Sequence, residues 1–110
     1  MSKVYCYIRV STSNQDYQNQ RYGLLEFADK KGIKIDQWIE ETISGTKKVR
    51  GRSLGKLIDQ MEKNDVLLVT ELSRIGRSLF DIMGTLNILM EKGAKVFSVK
   101  ENYELGDNIN

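Results

Sequence analysis

The apolar positions of this chain alternate between short runs and helical stripes. Residues 4–10, Val-Tyr-Cys-Tyr-Ile-Arg-Val, are rich in β-branched and aromatic side chains and predict a buried first strand. Residues 16–31 predict a helix with Leu24, Leu25 and Ala28 on its inner face and Gly32 as its stop. Residues 33–39 alternate well enough for a second strand, and 41–51 read as a polar, basic loop. Leu54, Leu57, Ile58 and Met61 have the i, i+3, i+4, i+7 spacing of a short amphipathic helix. Asp65 then opens a strand over 66–70, apolar enough for a central position. Ile75, Leu79, Ile82, Met83, Leu86, Leu89 and Met90 form a long helical stripe that Gly93 ends. Residues 94–99 predict a fourth strand, and a polar tail follows Lys100.

Strands and helices in strict alternation predict an α/β fold: three layers, a mostly parallel sheet of four or five strands, helices on both faces. Ligands of such sheets sit beyond the carboxyl ends of the strands. Two polar clusters fall there, Arg9-Val10-Ser11 and Ser73-Arg74-Ile75-Gly76-Arg77.

Composition narrows the chemistry. A chain of 110 residues is enough for one domain with a single core. Without histidine and with Cys6 as the one cysteine, a Ser-His-Asp triad, the usual zinc sets and an internal disulfide are all excluded. No apolar run reaches the ~20 residues of a membrane helix, and no signal-peptide pattern opens the chain. The single cysteine fits the cytoplasm. The net charge of +2 does not mark a nucleic-acid binder by itself, but residues 44–56 carry five basic side chains and no acidic one. Residues 45–53 superficially resemble a phosphate-binding P-loop. They have five residues between the glycines instead of four, and an arginine where the lysine belongs.

A serine surrounded by arginines suits attack on a phosphodiester, because guanidinium groups clamp phosphate and offset the charge of the transition state. Arg9 shares strand parity with Ser11, so both side chains should point to one side. Arg74 and Arg77, three apart, are expected on one side of the first turn of the long helix, whose N-terminus would add its own attraction for phosphate. Two cations there oppose the helix macrodipole, which hints at a ligand anion. The same spacing would also serve a non-catalytic α/β module that binds a phosphorylated small molecule or nucleotide.

Several spaced elements together resemble the catalytic domain of the serine site-specific recombinases, the resolvase and DNA-invertase family. They are Tyr7-Ile8-Arg9-Val10-Ser11-Thr12, then Gln15 and Gln20, Ser44-Gly45, Asp65, and Leu72-Ser73-Arg74-Ile75-Gly76-Arg77-Ser78. The second cluster and the segment after Lys100 look most like the invertase branch, in particular its bacterial master-type members. The resemblance implies that Ser11 is a nucleophile that forms a 5′-phosphoserine link and frees a 3′ hydroxyl, with no metal or cofactor. It implies Arg9, Arg74, Arg77 and Gln20 as catalytic-site residues. A further arginine is expected before the next helix: Arg52 fits counted back from that helix, Arg50 counted forward from Ser44. Gln15, Ser44 and Ser73 are implied near the DNA phosphate. Two positions depart from the family pattern, Ser73 where many members have aspartate and Gln60 where a lysine is common.

The family's long dimerisation helix and helix-turn-helix domain are not matched within residues 1–110, so these residues are expected to be the catalytic domain alone, weak in DNA binding and unselective by itself. The implied partners are double-stranded DNA, further copies of the chain (dimer, then tetramer at full length) and an accessory DNA-bending protein; no membrane is implied.

Overall fold

The computed structural model describes residues 2–10, 14–42 and 53–106. Strand β1 (Val4–Val10) leads into helix α1 (Asn14–Lys31), strand β2 (Gln37–Thr42), helix α2 (Ser53–Gln60) and strand β3 (Val66–Val69). A single 3-10 turn (Leu72–Arg74) precedes helix α3 (Leu79–Lys92), and strands β4 (Lys95–Ser98) and β5 (Tyr103–Leu105) finish the described chain. The sheet order is β2-β1-β3-β4-β5. The first four strands are parallel, and β5 runs antiparallel to β4.

Strand alternation divides the core into two layers. Tyr5, Tyr7, Leu67, Val69 and Val96 face α2 and α3, meeting Leu54, Leu57, Ile58, Leu86 and Leu89. Cys6, Ile8, Val10 and Leu68 face α1, meeting Leu24 and Ala28. A central strand covered on both faces has to be apolar on both, which is why β1 reads as an unbroken apolar run. Among the described residues, no helix is long and apolar enough to cross a membrane.

The expected α/β fold is present, but some elements and faces differ from the sequence reading. The second strand lies at 37–42, not 33–39. Ile33 and Ile35 belong to a connector that packs on the α1-side core, while Asp36 closes it against β1 by exchanging bonds with Val4. On α1, Leu25 is 46% exposed; the buried stripe is Gln20, Leu24 and Ala28. These three recur every fourth residue, and Leu25 is a hundred degrees round from Leu24. The segment after Lys100 adds a fifth strand to the edge of the sheet.

The long helix starts later than its apolar stripe suggests. Ser78 caps it, accepting from the Asp81 amide at 3.1 Å. Ile75 is fully buried, but ahead of the helix. Gly76 allows that path, since a Cβ there would lie 2.6 Å from the Ile82 nitrogen. Leu79, Met83 and Met90 of that stripe are exposed, together with Phe80 and Ile88. The helix is therefore apolar on two sides and uses only one of them within the described residues.

Candidate catalytic site

β1 extends beyond β3. Its pairing with β3 ends at Cys6↔Leu68, whereas its pairing with β2 continues through Arg9↔Glu41 to Val10↔Thr42. Beyond Val69 the chain turns away into the 3-10 turn, and side chains fill the step left at the end of the sheet. The main-chain carbonyl of Arg9 accepts from Gln20 Nε2 at 3.0 Å and from Arg74 Nη1 at 3.2 Å. The Arg9 side chain crosses the other way, and its Nη2 donates to the Ser73 carbonyl at 2.6 Å. Strand β1, helix α1 and the 3-10 turn thus meet at the carboxyl end of β1, two residues before Ser11 in the sequence.

Two carboxylates hold Arg74. Its Nη2 lies 2.9 Å from Glu71 Oε1 and 3.3 Å from Asp16 Oδ1. Asp16 also accepts from Gln20 Nε2 at 3.1 Å, and Glu71 pairs with Lys100 at 3.3 Å. Arg74 Nε, Gln20 Oε1 and Thr70 Oγ1 are buried with no hydrogen-bond partner among the described residues. A groove of about 270 Å³ runs alongside, lined in part by Asp16, Gln20, Thr70, Arg74 and Lys100. A phosphate approaching Arg74 must compete with both carboxylates for the guanidinium, or use donors they leave free.

The sequence-predicted residues separate into three groups. Arg9, Gln20, Ser73 and Arg74 come together. Gln20 is only 4% exposed, so its amide positions the Arg9 main chain and does not line an open surface. Gln15 and Arg77 are both exposed and take no part in that cluster. Arg74 and Arg77 do not share the first turn of a helix: Arg74 ends the 3-10 turn and Arg77 sits just before the Ser78 cap. The macrodipole argument therefore does not apply to Arg74. Ser11, Ser44, Arg50 and Arg52 lie outside the described residues. Gln60 is exposed at the end of α2.

Asp16 and Glu71 were missed at the sequence level, though each carries a local signal. Glu71 stands three residues before Arg74, and Asp16 four residues before Gln20, both at helical contact spacing. A second polar set lies on the α1–β2 flank. Tyr17 donates to Glu40 at 2.5 Å, which pushes the phenol pKa up, and Arg21 stacks 4.2 Å over the Trp38 ring. Among the described residues, no three acidic or cysteine side chains converge as a metal site requires.

Known proteins resemble this chain in sequence and fold. Residues 4–110 match the family model described as "Resolvase, N terminal domain". A resolvase of Clostridium perfringens (strain 13 / Type A) is 36% identical over 105 residues, which cover 93% of this chain and 52% of that protein. The transposon Tn2501 resolvase of Escherichia coli is 40% identical over 99 residues, covering 87% of this chain and 49% of that protein. The chain thus spans about half the length of these relatives. Among solved structures, the N-terminal catalytic domain of TP901-1 integrase superposes with a TM-score of 0.73 at 23% identity, covering 94% of this chain and 81% of that one. That likeness shows the fold.

Proposed function

Since the chain belongs to the resolvase family of serine site-specific recombinases, matching its N-terminal domain, we propose that it cuts and rejoins DNA at specific sites, with Ser11 as nucleophile. The Ser11 oxygen bonds to a backbone phosphorus, the bond from phosphorus to the 3′ oxygen breaks, and the 5′ end stays on the serine. The serine gives up its proton and the departing 3′ oxygen takes one up, so the step is balanced without a cofactor. The covalent link stores the phosphodiester energy, and a 3′ hydroxyl attacking it reverses the reaction.

The observation that supports this reading best is the meeting of Arg9 and Arg74 at the end of β1, Arg74 Nη1 donating to the Arg9 carbonyl at 3.2 Å. It gathers two guanidinium groups at the end of β1, two residues before Ser11 in the sequence. Arg77, exposed and three residues beyond Arg74, is a third phosphate donor, and Arg52 or Arg50 a fourth. Gln20 holds the Arg9 main chain. Gln15, Ser44 and Ser73 contact the DNA backbone near the cleaved phosphate.

The protein works on double-stranded DNA in the cytoplasm, as a dimer that pairs into a tetramer for strand exchange, with an accessory DNA-bending protein assisting synapsis. Residues 1–110 alone serve as the catalytic part, inactive in recombination without segments that dimerise and read the site. The exposed apolar side of α3, with Leu79, Phe80 and Met83, is where such a segment would pack.

Nicked DNA substrates that cannot religate test this reading. The wild-type protein should accumulate a protein–DNA adduct, and Ser11→Ala should form none. A chain that binds DNA but never forms the adduct would instead be a non-catalytic phosphate-binding module.

A further inference from the structure

The 3-10 turn that carries Ser73 and Arg74 depends on a group from elsewhere in the chain. Glu71, at its N-cap position, makes no side-chain cap bond; its carboxylate is committed to Arg74 and Lys100. The amide of Leu72, the first residue of the turn, would be left without an acceptor, as the first amides of any helical turn are. Glu101 supplies one. Its Oε1 and Oε2 accept from the Leu72 amide at 3.2 and 3.3 Å, from 29 residues away.

Glu101 is itself held in place. Its Oε1 also accepts from the hydroxyl of Ser98, which is 1% exposed in β4. Asn102, with φ of 52°, tightens the bend between β4 and β5 so that Glu101 faces back toward the turn. The amides of Val99 and Lys100 bond the Val69 and Thr70 carbonyls, fastening that bend to the end of β3.

We propose that Glu101 is a positioning residue of the catalytic site: it caps the Leu72–Arg74 turn from outside and so fixes both the Ser73 carbonyl that holds Arg9 and the Arg74 guanidinium. This rests on the functional reading given above. Displacing a catalytic group by about 1 Å can slow a reaction on the order of 10²-fold, so a remote cap of this kind acts on rate more than on fold.

The test uses Glu101→Ala and Glu101→Gln in the full-length protein, and Gln keeps an acceptor oxygen. Five quantities are followed: hydrogen exchange at the Leu72 amide, the NMR signal of Arg74 Nε–H, the rate of adduct formation on nicked DNA at saturating protein, DNA affinity and melting temperature. Glu101→Ala should accelerate Leu72 exchange, shift the Arg74 signal and slow adduct formation about 10-fold or more. DNA affinity should stay unchanged, and Glu101→Gln should recover most of the rate. Unaltered Leu72 exchange in Glu101→Ala overturns the cap, and an unaltered adduct rate overturns the positioning role. A rate loss that follows the loss of melting temperature in both variants overturns it too. If the wild-type protein forms no adduct, the functional reading fails separately, while Leu72 exchange still decides whether Glu101 caps the turn.

Discussion

Arg74 reaches across 65 residues of sequence to donate from Nη1 to the main-chain carbonyl of Arg9 at 3.2 Å. In return the Arg9 side chain binds the Ser73 carbonyl at 2.6 Å. Each arginine therefore fixes the backbone that carries the other, and the two strand ends cannot shift independently.

This reciprocity separates the two arginines of the second cluster. Arg77 is exposed, so Arg77→Ala should change stability by no more than about 0.5 kcal/mol. It should slow adduct formation on the order of 10²-fold, roughly 3 kcal/mol of transition-state stabilisation. Arg74→Ala should lower both, because it also leaves the Arg9 carbonyl and two carboxylates short of a donor, a cost of about 1–2 kcal/mol. Thermal melts and adduct rates on the same preparations check this. Parallel losses in Arg77→Ala would make Arg77 structural.

Gln20 is buried and donates to both the Arg9 carbonyl and Asp16. Gln20→Leu fills similar space without the donor and should destabilise the fold by about 1–3 kcal/mol. Urea midpoints measure it. A midpoint equal to wild type would mean that Arg74 alone satisfies the carbonyl.

How much of this was legible in the sequence depends on the range of each interaction. β1 was read correctly because a central strand is apolar on both faces, and the stops at Gly32 and Gly93 because both sit at positive φ, which glycine tolerates. β2 was misplaced because its apolar content is low: Glu40 and Glu41 lie in the strand, satisfied by Tyr17 and Tyr7. Those partners come from other elements, and no local pattern shows them. At the site, the arginines were recognisable from their motifs. Glu71 stands within one helical turn of Arg74, but the pairing of Arg74 with Asp16, 58 residues away, and the cap from Glu101, 29 residues away, are contacts that only the fold discloses.

Lys92, near the end of α3, donates from Nζ to the Ile58 and Asp59 carbonyls at 2.6 and 3.1 Å, closing the open end of α2. Lys92→Met keeps the stem and removes the donors. It should cost about 1–2 kcal/mol and speed hydrogen exchange in α2 before it affects α1. Uniform exchange across both helices would refute a local cap.

Cys6 is fully buried, and burial pushes its thiol from 9.0 up to about 12. Thiol reagents should therefore label it only as fast as the protein unfolds. In the unfolded chain the thiol ionises near its ordinary value, so above it the unfolded state binds fewer protons than the folded one. The stability associated with Cys6 is then complete below about pH 9 and is lost as pH rises toward 12. Comparing urea midpoints of wild type and Cys6→Ala between these limits checks the sign: the difference between the two proteins should change in favour of Cys6→Ala as pH rises.

The most direct measurement is to locate the bond between protein and DNA. The full-length protein is trapped on a nicked substrate and digested, and the nucleotide-bearing peptide is sequenced by mass spectrometry. The account predicts a phosphoester on Ser11, carried by the 5′ end of the cut strand and absent from Ser11→Ala. An adduct on any other residue, or one that persists in Ser11→Ala, would contradict it.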